Sequence, residues 1–136
     1  MKIVLDCNII ISAGLSHGKC REVLKTVLTN HNNYISDEIV REFRDVIYRK
    51  KFATYKANLI GILESVCVAS SWLRKIPISN QFKLPDAGDQ KYLDLALSIP
   101  VDYIITGNIK DFPLKNYHSL RVISPGEFLE LTSIND

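Results

Sequence analysis

Four separated polar positions carry the chemistry available to this chain. Asp6 directly follows the apolar run Ile3-Val4-Leu5. That puts its carboxylate at the carboxyl end of a strand, where open α/β sheets bind ligands, although a strand-tip Asp also caps turns. Glu42 lies in a helical stretch whose apolar residues centre between Ile39 and Phe43. At about 100° per residue it stands at the border of that face, near Val46, while Glu38 and Asp45 turn toward solvent. An ion pair with a neighbouring Arg is the structural alternative for Glu42. Asp86-Ala87-Gly88-Asp89 opens a later helix, with Asp86 suited to the N-cap and Asp89 to the first turn, where the helix dipole favours negative charge. Asp89 also shares an azimuth with Leu93 and Ala96 and so points inward, where an uncompensated carboxylate is costly and needs a partner. The fourth position, Thr106-Gly107-Asn108-Ile109-Lys110-Asp111, follows another apolar strand. There Gly107 permits a tight turn, the Thr106 hydroxyl can bond the backbone, and Asn108 or Asp111 can offer an oxygen at the sheet edge.

Two like charges about 4 Å apart repel by roughly 4 kcal/mol at an effective dielectric of 20. Three acids converging at one edge therefore require protonation or a cation. Carboxylate and water oxygens suit Mg²⁺ or Mn²⁺, and the lack of a His/Cys cluster argues against zinc.

The elements that must position these groups alternate along the chain. Residues 3–5 form a buried strand, and a helix is expected from His17 to Thr29 with Val23, Leu24, Val27 and Leu28 inward. Tyr34 and Ile35 make a second strand, after which Ser36 can cap a helix carrying Ile39, Phe43, Val46 and Ile47 on its core face. A further helix spans Phe52 to Glu64 and a short strand Val66 to Ala69. Ser70 to Pro85 is the least regular segment. Asp86 opens the next helix, with Tyr92, Leu93, Ala96 and Leu97 on its apolar side. Strands at Tyr103–Ile105 and Leu120–Ile123 and a helix from Pro125 complete the chain. Such alternation implies a parallel sheet of four or five strands flanked by helices on both faces, because each parallel crossover needs a helix to return the chain.

At 136 residues the chain fits a single domain, 1–136. Its 46% hydrophobic and 24% charged residues exclude disorder and collagen-like repeats. A net charge of +2 is too mild to name a partner. Cys7, Cys20 and Cys67 lack any CxxC spacing, suggesting reduced thiols and a cytoplasmic location. Their simplest role is as small apolar side chains. The longest apolar runs fall far short of the roughly 20 residues of a membrane span, so no membrane association is expected.

In order and spacing, these motifs resemble the PIN domain family, which includes the toxin ribonucleases of VapC-like toxin-antitoxin pairs. The matching segments are Ile3 to Ala13, the helix around Glu42, Asp86-x-x-Asp89-x-Lys-Tyr-Leu-x-Leu-Ala, and the strand ending Ile104-Ile105-Thr106-Gly107-Asn108. The resemblance spans nearly the full length and implies a three-layer PIN-like fold. It also implies that Asp6, Glu42 and Asp89 hold a catalytic Mg²⁺ or Mn²⁺ and that Asn8 supports Asp6 by hydrogen bonding. Many members carry Asp where this chain has Asn108. Asn108 can still bind a metal-bound water, or Asp111 can supply the missing charge as a further ligand.

RNA hydrolysis is the activity this resemblance implies, with a water activated at the metal. Arg41, Arg44, Arg49, Lys50, Lys51 and Lys56 offer a rail for phosphates beside the acids, or else form a solvated helix face. Tyr48, Tyr55 and Trp72 can stack on bases, with core packing the competing expectation for at least one of them. The resemblance further implies a cognate antitoxin protein and a homodimer. The competing function is a catalytically degenerate RNA-binding or protein-interaction module, for which Asn108 is the supporting feature.

Overall fold

The computed structural model describes residues 1–77 and 81–134. Consecutive strand residues Ile3, Val4 and Leu5 are all buried, as are Ile104 with Ile105 and Val122 with Ile123. Burial of neighbours that point to opposite faces means that helices cover both sides of the sheet. Among the described residues the sheet has six strands: β1 (Lys2–Leu5), β2 (Asn32–Ser36), β3 (Ser71–Leu73), β4 (Tyr103–Ile105), β5 (Asn116–Tyr117) and β6 (Leu120–Ile123). Their spatial order is β3-β2-β1-β4-β6-β5. Five are parallel, and β5 adds an antiparallel edge to β6. The hairpin joining β5 to β6 turns at His118, whose φ of 59° lies in the left-handed region that tight hairpin loops use.

Among the described residues six α-helices connect and cover the strands: α1 (Cys7–Leu15), α2 (Lys19–Asn30), α3 (Asp37–Ile47), α4 (Lys56–Ala69), α5 (Gln90–Ser98) and α6 (Pro125–Ile134). Ser36 caps α3 as its position implies, its Oγ accepting from the amide of Ile39 at 3.3 Å. Asp86 likewise accepts from the Gly88 amide at 2.8 Å and starts a single 3₁₀ turn that leads into α5.

Several local expectations are corrected. Val66–Ala69 is not a strand but the last turn of α4, with the edge strand following at Ser71–Leu73. The β-branched residues there suggest a strand, yet Leu59, Leu63 and Val66 are buried at helical spacing while Val68 is 88% exposed. The helix expected at His17 begins at Lys19, and the one expected at Phe52 begins as a 3₁₀ turn, Lys50–Tyr55. Helix α1 had no counterpart in the periodicity, because Cys7, Ile9, Ile10, Ile11, Ala13 and Gly14 are buried almost all round it. Of the irregular stretch Ser70 to Pro85, residues 78–80 lie outside the described ones. Lys50–Ala69 reaches the length and composition of a spanning helix, with a mean hydropathy of 1.2, a feature that single apolar runs do not reveal. Its buried residues pack in the core, α4 lying against α1 and α3.

The topology creates the site. From β1 the chain steps outward to β2 and β3, then returns to β4 on the other side of β1 and continues to β6. The order reverses between β1 and β4, so a crevice opens at their carboxyl ends. Asp6 and Thr106 are the first residues past those two ends.

Candidate metal centre

Asp6 is tied into the crevice by both neighbours. Its amide donates to the Ile105 carbonyl at 3.0 Å, and its Oδ2 accepts from the Thr106 hydroxyl at 2.7 Å and from Asn8 Nδ2 at 3.3 Å. Asn8 also accepts the Gly107 amide on Oδ1 at 3.2 Å, and Thr106 Oγ1 accepts the Asn108 amide at 3.0 Å. Thus Asn8 makes the contact with Asp6 implied by the Asp-x-Asn motif, and Thr106 ties the turn after β4 to the acid after β1. Burial raises the Asp6 carboxyl above the usual range. The Thr106 hydroxyl opposes that shift, and the Glu42 charge adds to it.

Glu42 reaches the same place from α3. Its Oε1 accepts the Tyr92 hydroxyl, and its Oε2 pairs with the Lys91 ammonium at 2.5 Å. The Tyr92 oxygen in turn accepts the Cys7 amide at 3.2 Å, which locks α3, α5 and the start of α1 together. Burial pushes the Tyr92 phenol upward, and it pushes the Cys7 thiol up to about 12 with help from Glu42 and Asp6. Glu42 therefore does form an ion pair, but with Lys91 of another helix rather than an Arg of its own.

Asp89 stands at the start of α5 with Oδ2 buried and without a hydrogen-bond partner. Burial, followed by the charges of Asp6, Asp111 and Asp86, raises its carboxyl to about 6. The partner that an inward carboxylate needs is not supplied to Asp89 Oδ2 by any hydrogen bond. Asp111 lies on the 3₁₀ turn after β4 and its charge acts on Asp89, while Asn108 is exposed and Asp86 caps its own turn.

The charge of Glu42 thus acts on Asp6, and those of Asp6 and Asp111 act on Asp89. Among the described residues, no three acidic, His or Cys side chains close around a point as they lie. Their chemistry fits a hard divalent ion: every candidate donor is oxygen, and Asp89 holds a buried oxygen that nothing satisfies.

The basic residues divide. Arg41 and Arg49 line an open groove of about 510 Å³ together with Glu38, Glu42, Asp45 and Lys91. Arg44 instead lines a separate cavity with Tyr48, Ile60, Glu64 and Cys67 between α3 and α4. Lys50 and Lys51 are exposed on the 3₁₀ turn, Lys51 lying over the Phe52 ring. Tyr48, Tyr55 and Trp72 are all exposed, so core packing holds for none of them. Lys56 covers the Tyr48 ring at 4.3 Å, and Trp72 donates its indole N–H to the Cys67 carbonyl at 3.1 Å.

Lys91 and Tyr92 are the members of the site that residue patterning missed. Tyr92 reads as core because it sits on the apolar face of α5. The available signal was its hydroxyl, which needs a partner when buried.

The fold resembles that in the crystal structure of VapBC2 from Rickettsia felis bound to a DNA fragment from their promoter. The match covers 91% of this chain and 98% of that one with a TM-score of 0.64 and 16% identity. No curated protein sequence matches. The family model described as PIN domain matches residues 2–110, which contain Asp6, Glu42, Asp89, Thr106 and Asn108. The chain belongs to the PIN domain family.

Proposed function

We propose that this chain is a Mg²⁺- or Mn²⁺-dependent endoribonuclease acting in the cytoplasm as the toxin of a toxin-antitoxin pair. The observation that carries the reading is the buried, unpartnered oxygen of Asp89, whose carboxyl is raised by burial and raised further by the charges of Asp6 and Asp111. Such an arrangement is costly for the empty protein and is relieved by a cation. Asp6, Glu42 and Asp89 would hold that cation, with Asp111 as a further oxygen donor. Bound there, the cation would supply charge stabilisation on phosphate and acidify a water.

The protein's own groups have separable roles. Thr106 and Asn8 orient Asp6 through one oxygen. Tyr92 orients Glu42, and the Asp86 cap fixes the turn that presents Asp89. Arg41 and Arg49 border the acids and give a path for backbone phosphates, while Lys50 and Lys51 extend the positive surface. The similarity to a VapBC structure supports an antitoxin partner as part of the same proposal.

A labelled single-stranded RNA incubated with the purified chain tests the activity. Cleavage is expected with Mn²⁺ or Mg²⁺ and not with chelator. Asp6→Asn and Asp89→Asn should each lower it by more than about a hundredfold, beyond what loss of an outer-shell partner costs, with unchanged circular dichroism. Cleavage that survives both substitutions would remove the assignment. A second reading rests on Asn108 in place of an acid and on Glu42 being already engaged by Lys91 and Tyr92. A degenerate module of that kind would shift the RNA on a gel without shortening it.

A further inference from the structure

Lys91 holds a positive charge inside the acidic cluster. Its side chain is only 14% exposed, and its ammonium lies 2.5 Å from Glu42 Oε2 while also donating to the Gly88 carbonyl. The ammonium stands 5.1 Å from the centroid of the Tyr92 ring. The charge is felt across the cluster, since it holds down both the Asp89 carboxyl and the Cys7 thiol against the forces that raise them. Lysine is seldom buried this far without such pairing.

We propose that Lys91 is a tethered counter-ion that competes with the divalent cation for Glu42, stabilising the acidic cluster when no cation is present and weakening cation affinity. The inference rests on the reading of this cluster as a metal centre.

Glu42 and Asp89 differ in a telling way. Both oxygens of Glu42 are taken, Oε1 by Tyr92 and Oε2 by Lys91, whereas Asp89 keeps an oxygen with no partner. A cation drawing on Glu42 must share Oε2 with the ammonium or displace it, and two positive charges on one carboxylate repel. Displacement is feasible because a lysine ammonium is a point charge on a flexible stem. Tyr92 makes it orderly. Its oxygen is anchored by the Cys7 amide and its hydroxyl holds Glu42 from the far side, so the acid keeps its place after the ammonium leaves. Lys91 also lines the groove that contains Arg41 and Arg49, into which the released side chain can turn.

The test measures Mn²⁺ binding by the loss of the free-ion paramagnetic resonance signal, and separately the melting temperature in chelator. Lys91→Met keeps the stem and removes the charge. It should bind Mn²⁺ at least about tenfold more tightly than the unsubstituted protein and melt about 5 °C lower without metal. Lys91→Arg keeps the charge in a fork that grips carboxylate more firmly, so it should fold normally and bind Mn²⁺ more weakly than the parent. Equal or weaker binding by Lys91→Met would overturn the proposal and leave Lys91 as a residue that merely positions Glu42. So would equal or tighter binding by Lys91→Arg, which decides the matter should the Met variant fail to fold. If the unsubstituted protein binds no Mn²⁺ at millimolar concentration while both variants also bind none, the metal reading itself fails, an outcome distinct from the other two.

Discussion

Asp89 carries its charge at a cost, because one carboxylate oxygen is buried without a partner and the charges of Asp6, Asp111 and Asp86 act against it. Its carboxyl is raised from 3.8 to about 6 in the fold. The folded protein therefore binds the proton more tightly than the unfolded chain does. Between pH 4 and 6 the contribution of Asp89 to stability therefore falls as pH rises, then levels off. The full shift would be worth about 3 kcal/mol, and screening at a partly open site reduces it to about 1 kcal/mol. In metal-free protein Asp89→Asn should thus raise stability by about 1 kcal/mol at pH 7.5 and by almost nothing at pH 4. Comparing the two proteins at each pH matters because His31 titrates in the opposite sense. Burial and the N-terminal ammonium lower the His31 pKa, and that contribution cancels between parent and variant. Chemical denaturation at the two pH values reads the difference. A stabilisation that does not grow with pH would mean that the Asp89 charge is not strained.

Helices and strands differ in how much of themselves they disclosed. Helix α3 was plain, since Ile39, Phe43 and Ile47 are buried at helical spacing after a capping serine. Ser36→Ala should cost about 1 kcal/mol in denaturant unfolding by leaving the Ile39 amide unpaired. Helix α1 was hidden because a short helix buried on most sides has only Asn8 and Ser12 as a polar face to set its period, and its three consecutive isoleucines favour a strand locally. What makes it a helix is tertiary. Gly14 lets α1 approach α4 so closely that a Cβ there would stand 2.3 Å from Leu59 Cδ2, and Asn58 of α4 donates to the Gly14 carbonyl at 2.6 Å. Ordinarily Gly→Ala within a helix gains up to about 1 kcal/mol. Here the added methyl must displace a fully buried leucine, so Gly14→Ala should lose about 1–3 kcal/mol of stability instead. Thermal melting gives the sign directly, and a rise would show that Leu59 repacks freely.

At the scale of the whole molecule, the acids could be picked out one by one because Asp6 follows a strand, Asp89 opens a helix and Glu42 borders the apolar face of α3. What the sequence withheld was how their neighbours pair. Lys91 sits two residues after Asp89, but its ion pair reaches across to Glu42, 49 positions earlier, and no periodicity encodes a contact between helices. The basic residues show the same limit. Arg41, Arg44 and Arg49 read as one cluster, yet the fold turns Arg41 and Arg49 toward the acids and Arg44 toward the cavity between α3 and α4. That division makes the proposed RNA path testable independently of cleavage. With Asp89→Asn as a background to suppress hydrolysis, single-stranded RNA affinity is measured across a range of salt. Removing one cation that neutralises a phosphate lowers the slope of log affinity against log salt by about 0.7. Arg41→Gln with Arg49→Gln should therefore lower the slope by about 1.4 and weaken binding most at low salt, whereas Arg44→Gln should leave the slope unchanged. An equal drop in slope from Arg44→Gln would place the strand along the opposite side of α3 and detach the acidic crevice from the RNA path.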